Sequence, residues 1–253
     1  MDSDPATAVI SGAASGRGIG RAVAERLASH GWNLGLIDLD EQACIRVAGE
    51  LSDRYGVLAV GACADISHDD QVDRAVGEFE AALPPIRVLA NIAGISDPTP
   101  FLELSIAQWK RIIDVNATGT FIVTRRVLPG MVARRYGRIV STSSTAAQNG
   151  GGTYSKAAYA ASKAAIEGMT RAIALEFAPF GVTANAVAPA IVDTDIMGGP
   201  IVGERLESYS RQLPVGRLGK TSEVAALIEF LFSEEAGYIT GATYNINGGI
   251  RIG

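Results

Sequence analysis

The sequence predicts an α/β fold in which a doubly wound, seven-stranded parallel sheet carries helices on both faces. Short apolar, β-rich runs alternate with longer amphipathic stretches along the 253 residues, and this alternation is typical of βαβ units around a buried parallel sheet. A glycine-rich turn follows the first apolar run. Apolar residues make up 47% of the chain, which is ample for a core. Because no repeat or linker interrupts the pattern, we expect one domain over residues 1–253.

The predicted elements follow one another closely. The expected strands cover residues 7–11, 33–38, 57–63, 86–91, 138–144, 182–188 and 243–246. The amphipathic stretches, expected as helices, include residues 21–29, 41–54, 69–82, about 105–131 and about 154–178. Ser105 and Gln108 have the spacing of a capping box, which fixes the start of one helix.

The loosest stretch of the chain is residues 193–219, which is rich in glycine, proline and polar residues. Such a segment is either an ordinary surface loop or a mobile lid over a binding site. We favour the lid, because the stretch lies within a chain whose other segments form regular elements. This segment is therefore expected to border the substrate.

Composition excludes several classes of function. The net charge is -5 and no basic stripe is present, which argues against a nucleic-acid partner. The apolar runs are short and interrupted, so no transmembrane helix is expected. Residues 1–4 are acidic and lack the pattern of a signal peptide. We therefore expect a cytoplasmic protein with no membrane partner.

The metal-binding residue types show no ligand-like grouping. Cys44 and Cys63 are the only cysteines, and we interpret them as reduced, partly buried thiols. His30 and His68 lie near predicted helix ends without further candidate ligands, and we expect them at the surface. The sequence therefore predicts no metal site.

The glycine-rich turn has the features of a loop that binds a dinucleotide pyrophosphate. It runs through residues 12–21, between the first strand and the first helix. Glycines let the backbone turn sharply and approach a ligand, and a helix N-terminus offers free N–H groups to phosphate. The expected contacts in this loop are Gly12, Ser15, Arg17, Gly18, Ile19 and Gly20. A glycine-rich turn without a ligand is the alternative.

Asp38 indicates which dinucleotide is bound. It lies 18 residues beyond Gly20, at the end of the second predicted strand. A carboxylate there accepts hydrogen bonds from the adenosine ribose hydroxyls and repels a 2′-phosphate, which favours NAD over NADP. Arg17 argues the other way, because a basic residue in the loop could meet a 2′-phosphate.

Tyr159 and Lys163 form a candidate proton-transfer pair. They lie four residues apart in a predicted helix and so share one of its faces. A phenol has a pKa of roughly 10, and a nearby cation lowers it towards the range of a general acid or base. A solvated helix face with a lysine is the alternative when the pair is taken alone.

These features together resemble the short-chain dehydrogenase/reductase family, and within it the 3-oxoacyl-acyl-carrier-protein reductase-like subgroup, over nearly the whole chain. The segments that carry the resemblance are 12–20, Asn91 with Ala93 and Gly94, Asn116, Ser144, the Tyr159/Lys163 pair, Pro189 to Thr194, 238–241 and 247–249.

The resemblance implies a Rossmann-type fold and a division of labour among these residues. Asn116, Ser144, Tyr159 and Lys163 would be catalytic. Ser144 would stabilise the alkoxide, Tyr159 would exchange the proton, Lys163 would lower the Tyr159 pKa and bind the nicotinamide ribose, and Asn116 would hold a water linking Lys163 to solvent. The further cofactor contacts implied are Asp65 and Ile66 at the adenine, Asn91, Ala93 and Gly94, and Pro189, Val192 and Thr194 at the nicotinamide.

The chain departs from the family pattern at several positions. The glycine loop contains two extra residues, Ile92 replaces an Asn, and Ala190 replaces a Gly. The spacing from Ser144 to Tyr159 is also two residues longer, through residues 149–152. Because of that spacing, Ser143 is a second candidate for the catalytic serine.

The sequence thus predicts an NAD-dependent oxidoreductase that transfers a hydride between nicotinamide and a secondary alcohol or ketone. A non-catalytic dinucleotide-binding regulator, and an epimerase or dehydratase on the same fold, are the alternatives. A 3-oxoacyl thioester, a sugar or polyol, and a simple secondary alcohol remain open as substrates. The resemblance also implies a homotetramer.

Overall fold

A computed structural model describes residues 6–252, apart from the side chain of Met197. The acidic segment 1–4, from which no signal peptide was predicted, lies outside the described residues. The strands are β1 (Thr7–Ser11), β2 (Asn33–Asp38), β3 (Ala59–Cys63), β4 (Ile86–Asn91), β5 (Gly137–Thr142), β6 (Val182–Pro189) and β7 (Thr243–Ile246). The helices are α1 (Ile19–Ser29), α2 (Glu41–Tyr55), α3 (Asp69–Ala82), α4 (Ile106–Ile113), α5 (Gly119–Arg134), α6 (Ala146–Asn149), α7 (Ala157–Phe177), α8 (Gly203–Gln212) and α9 (Thr221–Phe232).

The strands form one parallel sheet in the order β3-β2-β1-β4-β5-β6-β7. The chain moves outward from β1 to β3, returns to β4 beside β1, and then moves outward on the other side. The strand order therefore reverses between β1 and β4, and the crevice at the carboxyl ends of the strands there is the ligand site of doubly wound sheets. The predicted fold class is confirmed.

Helices cover both faces of the sheet and bury two apolar clusters. Leu27 of α1, Leu51 of α2 and Phe232 of α9 pack in one cluster. Phe79 of α3 and Met131 of α5 pack in the other. The strands between them are buried on both faces, which explains their nearly continuous apolar sequences.

One long predicted helix is interrupted. The expected helix 105–131 begins with the predicted capping box, since Ser105 accepts from the Gln108 amide and Gln108 reaches back to Ser105. A π-helical turn, Asp114–Thr118, then separates α4 from α5. Such turns are frequent at functional sites, and this one contains Asn116.

The predicted lid is a bounded segment with its own helix. Val192 pairs with Gly219 in an isolated parallel bridge, so the two ends of segment 193–219 lie side by side. The segment contains α8, which the sequence did not predict because few apolar residues mark it. We call residues 193–219 the lid. Within residues 6–252, no helix is both long and apolar enough to cross a membrane.

Candidate active site

A cavity of about 1060 Å³ opens where the strand order reverses. The predicted site residues that line it are Gly12, Ser15, Gly18, Ile19, Asp38, Asp65, Ile66, Ala93, Gly94, Ser144, Tyr159, Lys163, Pro189, Val192 and Thr194. The predicted residues outside its lining are Arg17, Gly20, Asn91 and Asn116. The fold thus brings most of the predicted residues to one cavity, although they come from distant parts of the sequence.

The glycine loop has the close packing that a pyrophosphate site requires. Gly12 has a φ of +73°, and a Cβ there would lie 2.7 Å from Ala93 Cα. A Cβ on Gly20 would lie 2.1 Å from the Gly12 carbonyl oxygen, so Gly20 brings α1 against the loop. Gly18 is the N-cap of α1 and no side chain caps the helix. Its first N–H groups are therefore available to an anion, and the loop fits a dinucleotide pyrophosphate.

Asp38 lies where the adenosine ribose of such a cofactor would be. Its carboxylate accepts from the Ala14 amide at 2.8 Å and from the Leu39 amide at 2.8 Å. These bonds fix the carboxylate beside the glycine loop. Asp38 therefore combines a fixed position with a negative charge at the cavity wall.

Arg17 and Ser15 contact the lid instead of pointing into free solvent. The Arg17 guanidinium donates to Asp193 at 2.5 Å, and Ser15 donates its hydroxyl to Asp195 at 2.6 Å. A second carboxylate oxygen, on Asp195, lies 3.9 Å from Arg17 Nε. No sequence pattern indicated these contacts, since the partners are 176 and 180 residues apart.

Asp65 and Ile66 line the cavity in the turn between β3 and α3. Burial acts to raise the pKa of Asp65, but hydrogen bonds from the Ser67 hydroxyl and amide outweigh it and lower the pKa below its usual value. The carboxylate is thus ionised and engaged in a turn before α3. Ile66 offers a buried apolar surface to the cavity.

Asn91 is turned away from the cavity. Its side chain is buried and donates to Thr124 Oγ1 at 3.0 Å and to Ser141 Oγ at 3.2 Å. The amide therefore links β4 to α5 and β5 beneath the site. Asn91 lies outside the cavity lining, and a cofactor contact at this residue stays a prediction.

Tyr159 and Lys163 share a face of α7, as predicted. Lys163 Nζ is buried, donates to the Thr142 carbonyl at 2.7 Å and lies 5.6 Å from the centroid of the Tyr159 ring. Burial lowers the pKa of Lys163 to about 8. Thr194, from the lid, lines the same cavity and is also buried.

The pKa of Tyr159 moves opposite to the direction expected from a neighbouring lysine. Desolvation raises this pKa to about 12, and a hydrogen bond with Ser144 only partly opposes the rise. The Lys163 ammonium donates to Thr142 and lies 5.6 Å from the centroid of the ring, and burial outweighs its charge. In the cofactor-free protein the net shift of the Tyr159 pKa is therefore upward, whereas the spacing alone led us to expect a lower pKa.

Ser144 and Ser143 have different partners. The Ser144 hydroxyl hydrogen-bonds Tyr159 and accepts from the Ala146 amide at 3.1 Å. The Ser143 hydroxyl lies 2.8 Å from the Glu167 carboxylate and 3.2 Å from the Lys163 carbonyl. Because β5 ends at Thr142, both serines lie just beyond the strand and both line the cavity, but only Ser144 acts on Tyr159.

Asn116 lies behind the cavity wall, in the π-helical turn. Its side chain accepts from the Ile95 amide at 2.8 Å and donates to the Ile95 carbonyl and to Ser162 Oγ, both at 2.9 Å. A Cβ on Gly94 would lie 3.1 Å from Asn116 Oδ1 and 3.4 Å from Lys163 Nζ. Asn116 thus ties the loop after β4 to α7 next to Lys163.

The cavity lining also includes residues outside the predicted set of site residues. Gln212 of α8 and Ile250, beyond β7, line it with Ser96, Tyr154 and Tyr209. Gln212 lies three residues after Tyr209 on the same helix face. A prediction of α8 from the sequence would therefore have placed Gln212 beside Tyr209. Among the described residues, no group of three or more His, Cys, Asp or Glu is placed to bind a metal.

Comparison with known proteins agrees with this geometry. Residues 12–251 match the family model described as Enoyl-(Acyl carrier protein) reductase, adh_short_C2. An uncharacterized short-chain type dehydrogenase/reductase of Sinorhizobium fredii is 37% identical over 97% of both chains. The 3-oxoacyl-acyl-carrier-protein reductase of Aquifex aeolicus is 39% identical over 93% of this chain and 94% of the relative.

Solved structures lead to the same family. A crystal structure of a 3-oxoacyl-acyl-carrier-protein reductase with bound NAD, from Brucella melitensis, is 32% identical and superimposes with a TM-score of 0.88 over 100% of this chain and 93% of the other. The chain therefore belongs to the short-chain dehydrogenase/reductase family of NAD(P)-dependent oxidoreductases, which transfer a hydride between nicotinamide and an alcohol or ketone.

Proposed function

We propose that this protein is an NAD-dependent ketoreductase in which Tyr159 is the general acid for carbonyl reduction. The observation that carries the proposal is that Ser144 and Tyr159 line the same cavity and that Ser144 acts on the pKa of the Tyr159 hydroxyl, with Lys163 Nζ 5.6 Å from the centroid of the Tyr159 ring. Two hydroxyl donors that meet at one point are suited to a single carbonyl oxygen. The regulator, epimerase and dehydratase alternatives are not favoured, because the family match extends over a chain that retains this site.

The proton chemistry follows from the two hydroxyl groups. The dinucleotide, when bound, supplies the hydride. Ser144 donates a hydrogen bond that stabilises the charge developing on the carbonyl oxygen, and Tyr159 transfers its proton to that oxygen. Because the pKa of Tyr159 is raised to about 12 in the free protein, the phenol carries its proton at neutral pH, which is the form that reduction requires.

Lys163 and Asn116 support that transfer. Lys163 is proposed to hold a positive charge beside the phenol and to bind the nicotinamide ribose, for which Gly94 leaves room next to Nζ. Asn116 is proposed to order the loop after β4 and a water through which the proton is replaced. Its bonds to Ile95 and Ser162 support the first of these roles.

NAD is proposed as the preferred dinucleotide because the carboxylate of Asp38 is fixed beside the glycine loop. A 2′-phosphate would bring further negative charge towards it. Arg17, the residue that argued for NADP, is paired with Asp193 in the cofactor-free protein. Asp65 and Ile66 are proposed to contact the adenine, and Pro189, Val192 and Thr194 the nicotinamide.

For the substrate we propose a 3-oxoacyl thioester, the class named in the relatives described above. Sugars, polyols and simple secondary alcohols remain alternatives, because the lining mixes Ile196 and Tyr209 with Asn149 and Gln212. We also propose that a single domain assembles into a cytoplasmic homotetramer. Exposed apolar side chains on the two long helices, Phe121 on α5 and Leu175 on α7, support such packing.

Replacing Tyr159 with Phe is expected to reduce kcat by about 10²- to 10⁴-fold, because the proton donor is lost. The dissociation constant for NADH is expected to remain within experimental error of the wild-type value, since the ring is retained. Steady-state kinetics with a 3-oxoacyl thioester and fluorescence titration of NADH measure the two quantities. A variant with near wild-type turnover would end the assignment of Tyr159.

The two adjacent serines provide a matched comparison. Ser144→Ala is expected to lower kcat by about 10²- to 10³-fold, the usual effect of removing a donor to an oxyanion. Ser143→Ala should lose far less activity, because its hydroxyl contacts Glu167 and not Tyr159. A larger loss of kcat for Ser143→Ala would show that Ser143 is the catalytic serine. Equal losses in the two variants would contradict the assignment of Ser144 alone.

Titration with both dinucleotides tests the cofactor preference. NADH is expected to bind at least about tenfold more tightly than NADPH, since like charges held close together are costly. Asp38→Asn should reduce the difference in affinity between NADH and NADPH, because it should improve NADPH binding. If the wild-type protein instead bound NADPH more tightly, the role given to Asp38 would be wrong.

A further inference from the structure

Two contacts join the glycine loop to the lid in the cofactor-free protein. Arg17 donates to Asp193 at 2.5 Å, and Ser15 donates to Asp195 at 2.6 Å. Asp193 also accepts from the Ile201 amide at 3.1 Å, within the lid. We call the Arg17–Asp193 and Ser15–Asp195 contacts the loop–lid bridge.

The bridge places a carboxylate where the cofactor's phosphates have to bind. Ser15, Gly18 and Asp195 all line the same cavity. The first turn of α1 contains no acidic residue and its N-cap makes no side-chain bond, so its N–H groups are left for an anion from elsewhere. Asp195 reaches this loop from the lid, and its charge opposes that of an arriving pyrophosphate.

We propose that Asp195 competes with the cofactor pyrophosphate for Ser15, so that dinucleotide binding breaks the loop–lid bridge. The inference rests on the dinucleotide site proposed above. It adds a residue that sets cofactor affinity from outside the glycine loop. Asp193 acts in the same direction, because it neutralises the guanidinium of Arg17 beside the phosphates.

The bridge couples the two halves of the cavity. Asp193 and Asp195 flank Thr194, the residue proposed to contact the nicotinamide amide, and Asp195 begins the short 3₁₀ turn Asp195–Met197. The bridge stabilises only the cofactor-free state and therefore lowers the apparent affinity for the dinucleotide. Removal of the bridge should then tighten dinucleotide binding.

The test is the affinity of Asp195→Asn for NADH and, separately, for inorganic pyrophosphate, measured by calorimetry. Both probes are expected to bind the variant at least about fivefold more tightly than the wild type. This factor is at the lower end of the usual range of coupling between two sites. Asp53→Asn, on the exposed face of α2, makes the same change of net charge away from the cavity and should leave both affinities unchanged.

A second measurement reads the lid directly. Amide hydrogen exchange of residues 193–201 in the cofactor-free protein should be faster in Asp195→Asn than in the wild type or in Asp53→Asn. Equal or weaker pyrophosphate binding by Asp195→Asn, relative to Asp53→Asn, would overturn the inference. This outcome is distinguishable from failure of the ketoreductase proposal, because pyrophosphate binding requires no turnover and no catalytic residue.

Discussion

The contact between the end of β5 and the first turns of α7 is the constraint on which the rest of the site depends. Thr142, the last residue of the strand, and the two serines that follow it each contact the helix. The Thr142 carbonyl accepts from Lys163, Ser143 reaches the Lys163 carbonyl and Glu167, and Ser144 bonds Tyr159. A buried ammonium requires such a partner, since burial of an unpaired charge is costly. The need to satisfy Lys163 therefore helps to fix the register that brings Ser144 to Tyr159.

Glycines without a Cβ atom allow the close backbone packing of the half of the cavity that contains the glycine loop. Gly12 and Gly20 allow β1, α1 and the loop after β4 to approach one another, and Gly94 leaves space between Asn116 and Lys163. The chemical half is built around hydroxyl groups. The two halves meet at Gly94, and the lid contacts both, through Asp195 at Ser15 and through Thr194 at the cavity wall. Cofactor binding, lid position and proton transfer are thus connected through a small number of side chains.

Local patterns predicted most of this arrangement. The alternation of strands and helices determined the sheet, and the position of Asp38 after the second strand placed it beside the glycine loop. The side-chain directions at Asn91 and Ser143 could not be predicted, because they depend on which neighbours a folded strand end meets. The raised pKa of Tyr159 was missed for a similar reason: spacing shows that a lysine is near, but not that burial outweighs it. The loop–lid bridge joins residues too distant in sequence to form a pattern.

The pH dependence of kcat/KM in the reductive direction tests the central claim most directly, because it reports the ionisation of groups in the free enzyme. The pKa of Tyr159 is raised to about 12 and that of Lys163 is lowered to about 8, so the phenol stays protonated while the ammonium loses its charge above about pH 8. We predict that kcat/KM is highest near neutral pH and falls above about pH 8. A kcat/KM that instead rises towards pH 10 would mean that the phenolate is the active form, and would contradict the account.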